Sequence, residues 1–136
     1  MLPRYVRFLH DAIKDEVFTR DPEGTLKLLK RLRSGGLVDI HLDGVLTKEA
    51  VRLPIFGVPR KVPAGFLRIA KLAGSPLIAM RCLGDSRRLM IGFEEPVEIG
   101  QASHEELIRT VLPGMVTVLE AQIREHPEEY ETWSRI

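Results

Sequence analysis

Four cations crowd one short stretch of this chain: Arg52, Arg60, Lys61 and Arg68, set around Phe56-Gly57. Gly57 has no side chain, so an incoming group can come close to the backbone there. Guanidinium and ammonium groups beside such a turn suit a phosphate-bearing ligand. Arg52, Gly57, Arg60 and Lys61 are therefore the candidate binding set. For each cation the alternative is a solvated basic surface. Phe56 reads as an apolar anchor. Asp43 is the candidate acidic residue. It follows the β-prone run 37–42, and open α/β sheets place their sites at the carboxyl ends of strands. There it could touch a substrate or orient a cation; the alternative is an Asx-turn residue opening the next loop.

The bulk numbers narrow the classes. At 136 residues the chain fits one domain, residues 1–136, with a real core. It is 44% apolar and 29% charged, an ordinary globular composition. A formal net charge of +1 makes no case for a nucleic-acid partner. Cys82 is the single cysteine, so there is no intrachain disulfide; it reads as a small core residue in a reducing compartment. His10, His41, His104 and His126 are too scattered for a zinc site. No Rossmann glycine fingerprint, Walker A loop or nucleophile elbow is present. No apolar run approaches the ~18 residues of a membrane span, and nothing reads as a signal peptide.

The elements that must hold the cations follow from pattern. Val51–Phe56 is a β-prone run. Residues 57–63 hold Gly57, Pro59 and Pro63 and read as a turn-rich crossing. Ala64–Ala73 reads as a helix closed by Gly74, and Pro76–Met80 as a second apolar strand. Strand, helix, strand predicts a βαβ unit with parallel pairing. Upstream, Leu2–Ile13 shows a helical apolar stripe and Glu16–Thr19 a short strand. Thr25 is placed to cap a helix carrying Leu26, Leu28, Leu29 and Leu32, which Ser34-Gly35-Gly36 ends. Residues 37–42 read as a strand with Asp39 and His41 on one face. Downstream, Gly84-Asp85-Ser86 signals a hairpin between a strand from Met80 and a partner over Arg88–Phe93. Ser103 and Glu106 form a capping box. Pro113-Gly114 interrupts the helix that follows, and Pro127 ends it.

The same stretch carries a family resemblance. Phe56-Gly57-Val58-Pro59, Val62-Pro63-Ala64-Gly65, Ala70 and Gly74-Ser75-Pro76-Leu77-Ile78 follow in order the motifs "F-F-G-x-P", "V-P-x-G" and "l-A-x-x-t-G-a-P-v-v". Ile55 replaces the first Phe, and Ala79 stands where a Pro is usual. Leu32-Arg33-Ser34-Gly35-Gly36-Leu37-Val38 resembles "L-r-x-G-G-x-v", Asp43-Gly44 sits at "D-Q", and His126-Pro127-Glu128-Glu129-Tyr130 resembles "H-P-E-Q-W". Together these resemble the second half of the bacterial lipid A biosynthesis acyltransferases, in the glycerolipid acyltransferase superfamily.

The resemblance implies an α/β fold with a partly parallel mixed sheet of about four to five strands flanked by helices. It implies acyl transfer from a carrier thioester, acyl-ACP or acyl-CoA, to a hydroxyl of a membrane glycolipid or phospholipid precursor, with no other cofactor. The family's base lies in H-x-x-x-x-D/E, which His10-Asp11-Ala12-Ile13-Lys14-Asp15 matches. His10 and Asp15 fall too close ahead of Phe56, however, for the segment that should lie between; the alternative is a helix pair. Pro22-Glu23-Gly24-Thr25 copies a phosphate motif of the superfamily but stands too early, and reads as turn and cap. On this reading the family's membrane anchor and catalytic half are missing. The second expectation is thus a non-catalytic lipid-phosphate-binding module paired with another chain. Either would be cytoplasmic, peripheral on the inner face of the cytoplasmic membrane. An open sheet edge is expected to recruit a second copy or a partner chain.

Overall fold

A computed structural model describes residues 21–42, 49–84 and 87–129. The expected elements over Leu2–Ile13 and Glu16–Thr19, the Asp85-Ser86 turn, and His10, Asp15 and Asp43 lie outside the described residues. Among those described, the order is α1 (Pro22–Arg33), β1 (Ala50–Ile55), β2 (Val58–Pro63), α2 (Gly65–Ala73), β3 (Met80–Gly84), β4 (Leu89–Phe93), α3 (His104–Thr110), α4 (Leu112–Glu125) and a 3-10 turn (Pro127–Glu129). The protein is mixed α/β, as expected. Its strands form two separate antiparallel pairs, β1–β2 and β3–β4, in place of the partly parallel sheet of about four to five strands.

The correction lies in residues 57–63. They are not a crossing: Val58–Pro63 runs back along β1 as its antiparallel partner. The prolines that suggested a turn are accommodated by register. A two-residue hairpin turn closes on the hydrogen-bonded pair Ile55–Val58. Alternation then puts Pro54 opposite Pro59, Arg52 opposite Lys61 and Ala50 opposite Pro63 at the non-hydrogen-bonded positions. No ladder bond needs a proline N–H there. The helix that follows therefore links two hairpins and no parallel pair. Leu77 meets Val97 in an isolated antiparallel bridge, and the third strand starts only at Met80.

Local chemistry explains the helices. Asp21, and not Thr25, caps α1: the Gly24 N–H donates to its carboxylate at 2.7 Å, with Pro22 at the first turn. Glu23 opens that helix and Lys30, Arg31 and Arg33 close it, which suits its dipole. Gly35 then takes a φ of +81° and the chain leaves the helix. Residues 36–41 form no strand; their β-prone side chains find no partner strand among the described residues, and Leu37 is 89% exposed. Gly74 ends α2 at φ +66°, its N–H bonding back to Lys71, while the Ser75 N–H reaches the Ala70 carbonyl. The Ser103–Glu106 capping box starts α3. Pro113 has no N–H to continue that helix, and a fresh one begins at Leu112.

One core joins these pieces. Val62 and Ala64 leave the first hairpin and meet Phe66, Leu67 and Ala70 of α2, Leu107 of α3, and Leu112 and Val116 of α4. Leu67 and Leu112 are fully excluded from water. Each such leucine contributes about 1.5–3 kcal/mol of burial. Val51, Leu53 and Ile55 pack against the cluster, fixing which face of the first hairpin points inward.

Candidate functional site

The first hairpin carries the candidate cations, and its register sorts them. Arg52 and Lys61 are directly opposed and both exposed. At a non-hydrogen-bonded position their Cα atoms are ~4.5 Å apart, the closer of the two cross-strand spacings. Like charges so placed repel. No carboxylate among the described residues lies within ion-pair distance of either. Arg60 faces the other way: it is paired with Leu53 on the core-facing side and is half-buried. Arg68 on α2 is drawn to Glu49 at 3.4 Å. Of the predicted cluster, then, Arg52 and Lys61 share a face, while Arg60 and Arg68 do not join them.

The turn at the hairpin tip is strained. Phe56 has a φ of +52° and Gly57 of +76°, the two positive values of a type I′ turn. Gly57 accepts this freely; a phenylalanine does not. Two residues of α4 hold Phe56 in place. Its N–H donates to the Glu120 carboxylate at 2.7 Å, and the Arg124 guanidinium sits 5.2 Å from its ring centroid. The contact combines a charge-assisted hydrogen bond with a cation–π interaction. Phe56 through Pro59 are exposed, as is Lys61, whereas Val62 and Pro63 are buried. The tip is thus presented to solvent and its base is rooted in the core. Sequence reasoning missed Glu120 and Arg124. Their one signal was an acid and a base four positions apart on a helix, which occurs on many surfaces.

Beneath the hairpin, Leu53 and Pro54 face Pro113, Val116, Thr117 and Glu120 across an open groove of about 240 Å³. No histidine lines it. His41 and Asp39, expected on one face, do meet, with Nε2 3.4 Å from the carboxylate. The hydrogen bond from His41 holds the Asp39 carboxyl below its usual value. His126 lies 3.2 Å from Glu128 across the end of α4. It is therefore paired with a carboxylate as well as standing at a helix C-terminus.

Taken together, the described residues make a mixed α/β protein built on two hairpins, the first of which carries opposed cations above a groove. Residues 14–134 match the family described as bacterial lipid A biosynthesis acyltransferase. The chain belongs to that family, as its motifs between Leu32 and Tyr130 suggested. The match takes in Asp15 and leaves His10 outside. No curated protein and no solved structure matches the chain. Among the described residues, no helix is long and apolar enough to cross a membrane.

Proposed function

We propose that this acyltransferase-family chain uses the outward face of its first hairpin to hold the anionic head group of a lipid, as part of acyl transfer from a carrier thioester to a lipid hydroxyl. The observation that carries this reading is the direct opposition of Arg52 and Lys61. Alone, the pair costs stability; with a phosphate between the two cations, repulsion becomes a two-point clamp. Gly57 leaves backbone open beside it, and nothing lies within 4 Å of where its side chain would be. Arg60 lies on the other face, opposite Leu53, and takes no part in this clamp.

The reaction itself is direct. The acceptor oxygen forms a bond to the thioester carbonyl carbon, the carbon–sulfur bond breaks, and the carrier thiolate takes up the proton a base removed from the hydroxyl. Acyl-ACP or acyl-CoA is the donor, and a membrane glycolipid or phospholipid precursor the acceptor. Asp43 and Asp15 remain the candidate acidic residues of this chemistry. His10 is assigned no catalytic role: it stands too close ahead of Phe56 for the segment that should lie between.

A second reading rests on the same opposed pair, Arg52 and Lys61. On that reading the hairpin binds lipid phosphate without catalysing transfer, and another chain supplies the base. Co-sedimentation with vesicles of anionic phospholipid tests what both readings share: Arg52→Glu/Lys61→Glu abolishes binding, and binding equal to wild type overturns both. Acyl transfer from acyl-ACP then separates them. Turnover by the isolated chain supports the enzyme; binding without turnover supports the module. His10→Ala leaves any turnover unchanged.

A further inference from the structure

The second hairpin shows a different surface. Its register pairs Met80 with Phe93, Cys82 with Ile91 and Gly84 with Leu89 on one face, and Arg81 with Gly92 and Leu83 with Met90 on the other. The second face turns toward α4 at its Arg81 end, where Arg81 reaches Glu125, while Met90 at the other end of that face is 60% exposed. The first face turns away from it. Along that face Leu89 is 47% exposed, Ile91 49% and Phe93 68%, with Met80 and Ile78 similarly open. A two-stranded pair with an uncovered apolar face is marginal in water.

The ends of this apolar row differ in charge. Arg87 and Arg88 lead into β4, and Glu95 and Glu98 follow it. All four are exposed. The row between them is about 17 Å long for five strand residues. An anionic bilayer would welcome one end and be repelled by the other. A second copy turned by a two-fold axis near Ile91 satisfies both, laying apolar row on apolar row and the basic end of each hairpin on the acidic end of its mate.

We infer that the outward face of the β3–β4 hairpin is a self-association surface, two copies packing face to face and antiparallel about Ile91. The contact uses a sheet face rather than an open strand edge. It shares no residue with the lipid-binding proposal and stands or falls apart from it. Sedimentation equilibrium of the full chain tests it. Wild type forms a dimer, and Ile91→Glu, an exposed position, weakens association on the order of tenfold or more with circular dichroism unchanged. Arg87→Glu/Arg88→Glu weakens it, as does Glu95→Arg/Glu98→Arg, and the four changes combined restore it. A chain that stays monomeric at high concentration overturns the inference. So does a dimer indifferent to Ile91→Glu, or a combined charge exchange that fails to restore association. If the monomer instead binds vesicles through Ile91, the face belongs to lipid.

Discussion

The Phe56 N–H and the Glu120 carboxylate meet at 2.7 Å although 64 positions of sequence separate them. Glu120 thereby ties the strained tip of the first hairpin to a helix rooted in the core through Leu112 and Val116. Phe56 persists at a φ of +52° because hydrogen bond and ring contact together offset a backbone cost of about 1–3 kcal/mol. Phe56→Ala keeps the backbone cost and loses the ring contact; Phe56→Gly loses both. The glycine variant is therefore expected to be the more stable by about 1 kcal/mol, read by urea denaturation. Equal stability, or a better alanine variant, would remove the case for strain.

Gly57 makes a cleaner test of the same turn. A side chain added there meets nothing within 4 Å, so space is not limiting, but its φ is +76°. Gly57→Ala should cost about 1 kcal/mol through the backbone alone. Gly57→Asn should cost less, since asparagine tolerates this region. Thermal melts of the two variants rank them.

What could be read in advance was the chemistry that acts within a few positions. The Ser103–Glu106 box, the stop at Gly74 and the break at Pro113 each need only neighbours in sequence, and each is found in place. The first hairpin was misread because Pro59 and Pro63 are turn residues in isolation. They become strand residues only once their register spares them a ladder bond, and register is a property of two segments together. The split of the cations had the same cause: placing Arg60 on the far face from Lys61 requires knowing that residues 58–63 are extended. Glu120 and Arg124 could not be tied to Phe56 at all, because nothing local marks a contact across 64 positions.

Asp39 offers a pH prediction. Its folded pKa is lowered from 3.8 chiefly by the hydrogen bond from His41; burial, the next effect in size, opposes it, and the ring's charge and a hydrogen bond from the Ile40 backbone lower it further. A depressed carboxylate stabilises the fold above its unfolded pKa, and that contribution is lost as pH falls through the lower folded value. The pair is more than half exposed, so the effect is small and salt-sensitive. In a carboxyl NMR titration Asp39 should have a midpoint below 3.8 that rises in His41→Ala. A midpoint unmoved by that substitution would place the cause elsewhere.

Leu67 tests the core that positions the hairpin. It is fully buried and packs in one cluster with Val62, the last buried valine of β2. Leu67→Ala is expected to cost about 2.7–5 kcal/mol, the upper end if the helices cannot close the cavity. Denaturant unfolding with an unchanged slope would give the value directly. A loss under 1 kcal/mol would mean that this site collapses freely and that the hairpin base is less rigid than its burial implies.

Arg52 and Lys61 should separate stability from binding. Facing each other across the strands with no carboxylate partner among the described residues, they lower the stability of the empty protein by roughly 0.2–1 kcal/mol. Arg52→Ala therefore raises the denaturation midpoint while weakening attachment to anionic vesicles, and added salt narrows both differences. A merely solvated pair would move neither quantity, and a pair kept for structure would lower the midpoint on substitution. A cationic pair that serves an anionic ligand makes the protein firmer and the binding poorer in the same variant. Measuring the urea midpoint and vesicle co-sedimentation of Arg52→Ala side by side distinguishes the three, and a fall in both would end the head-group reading of this hairpin.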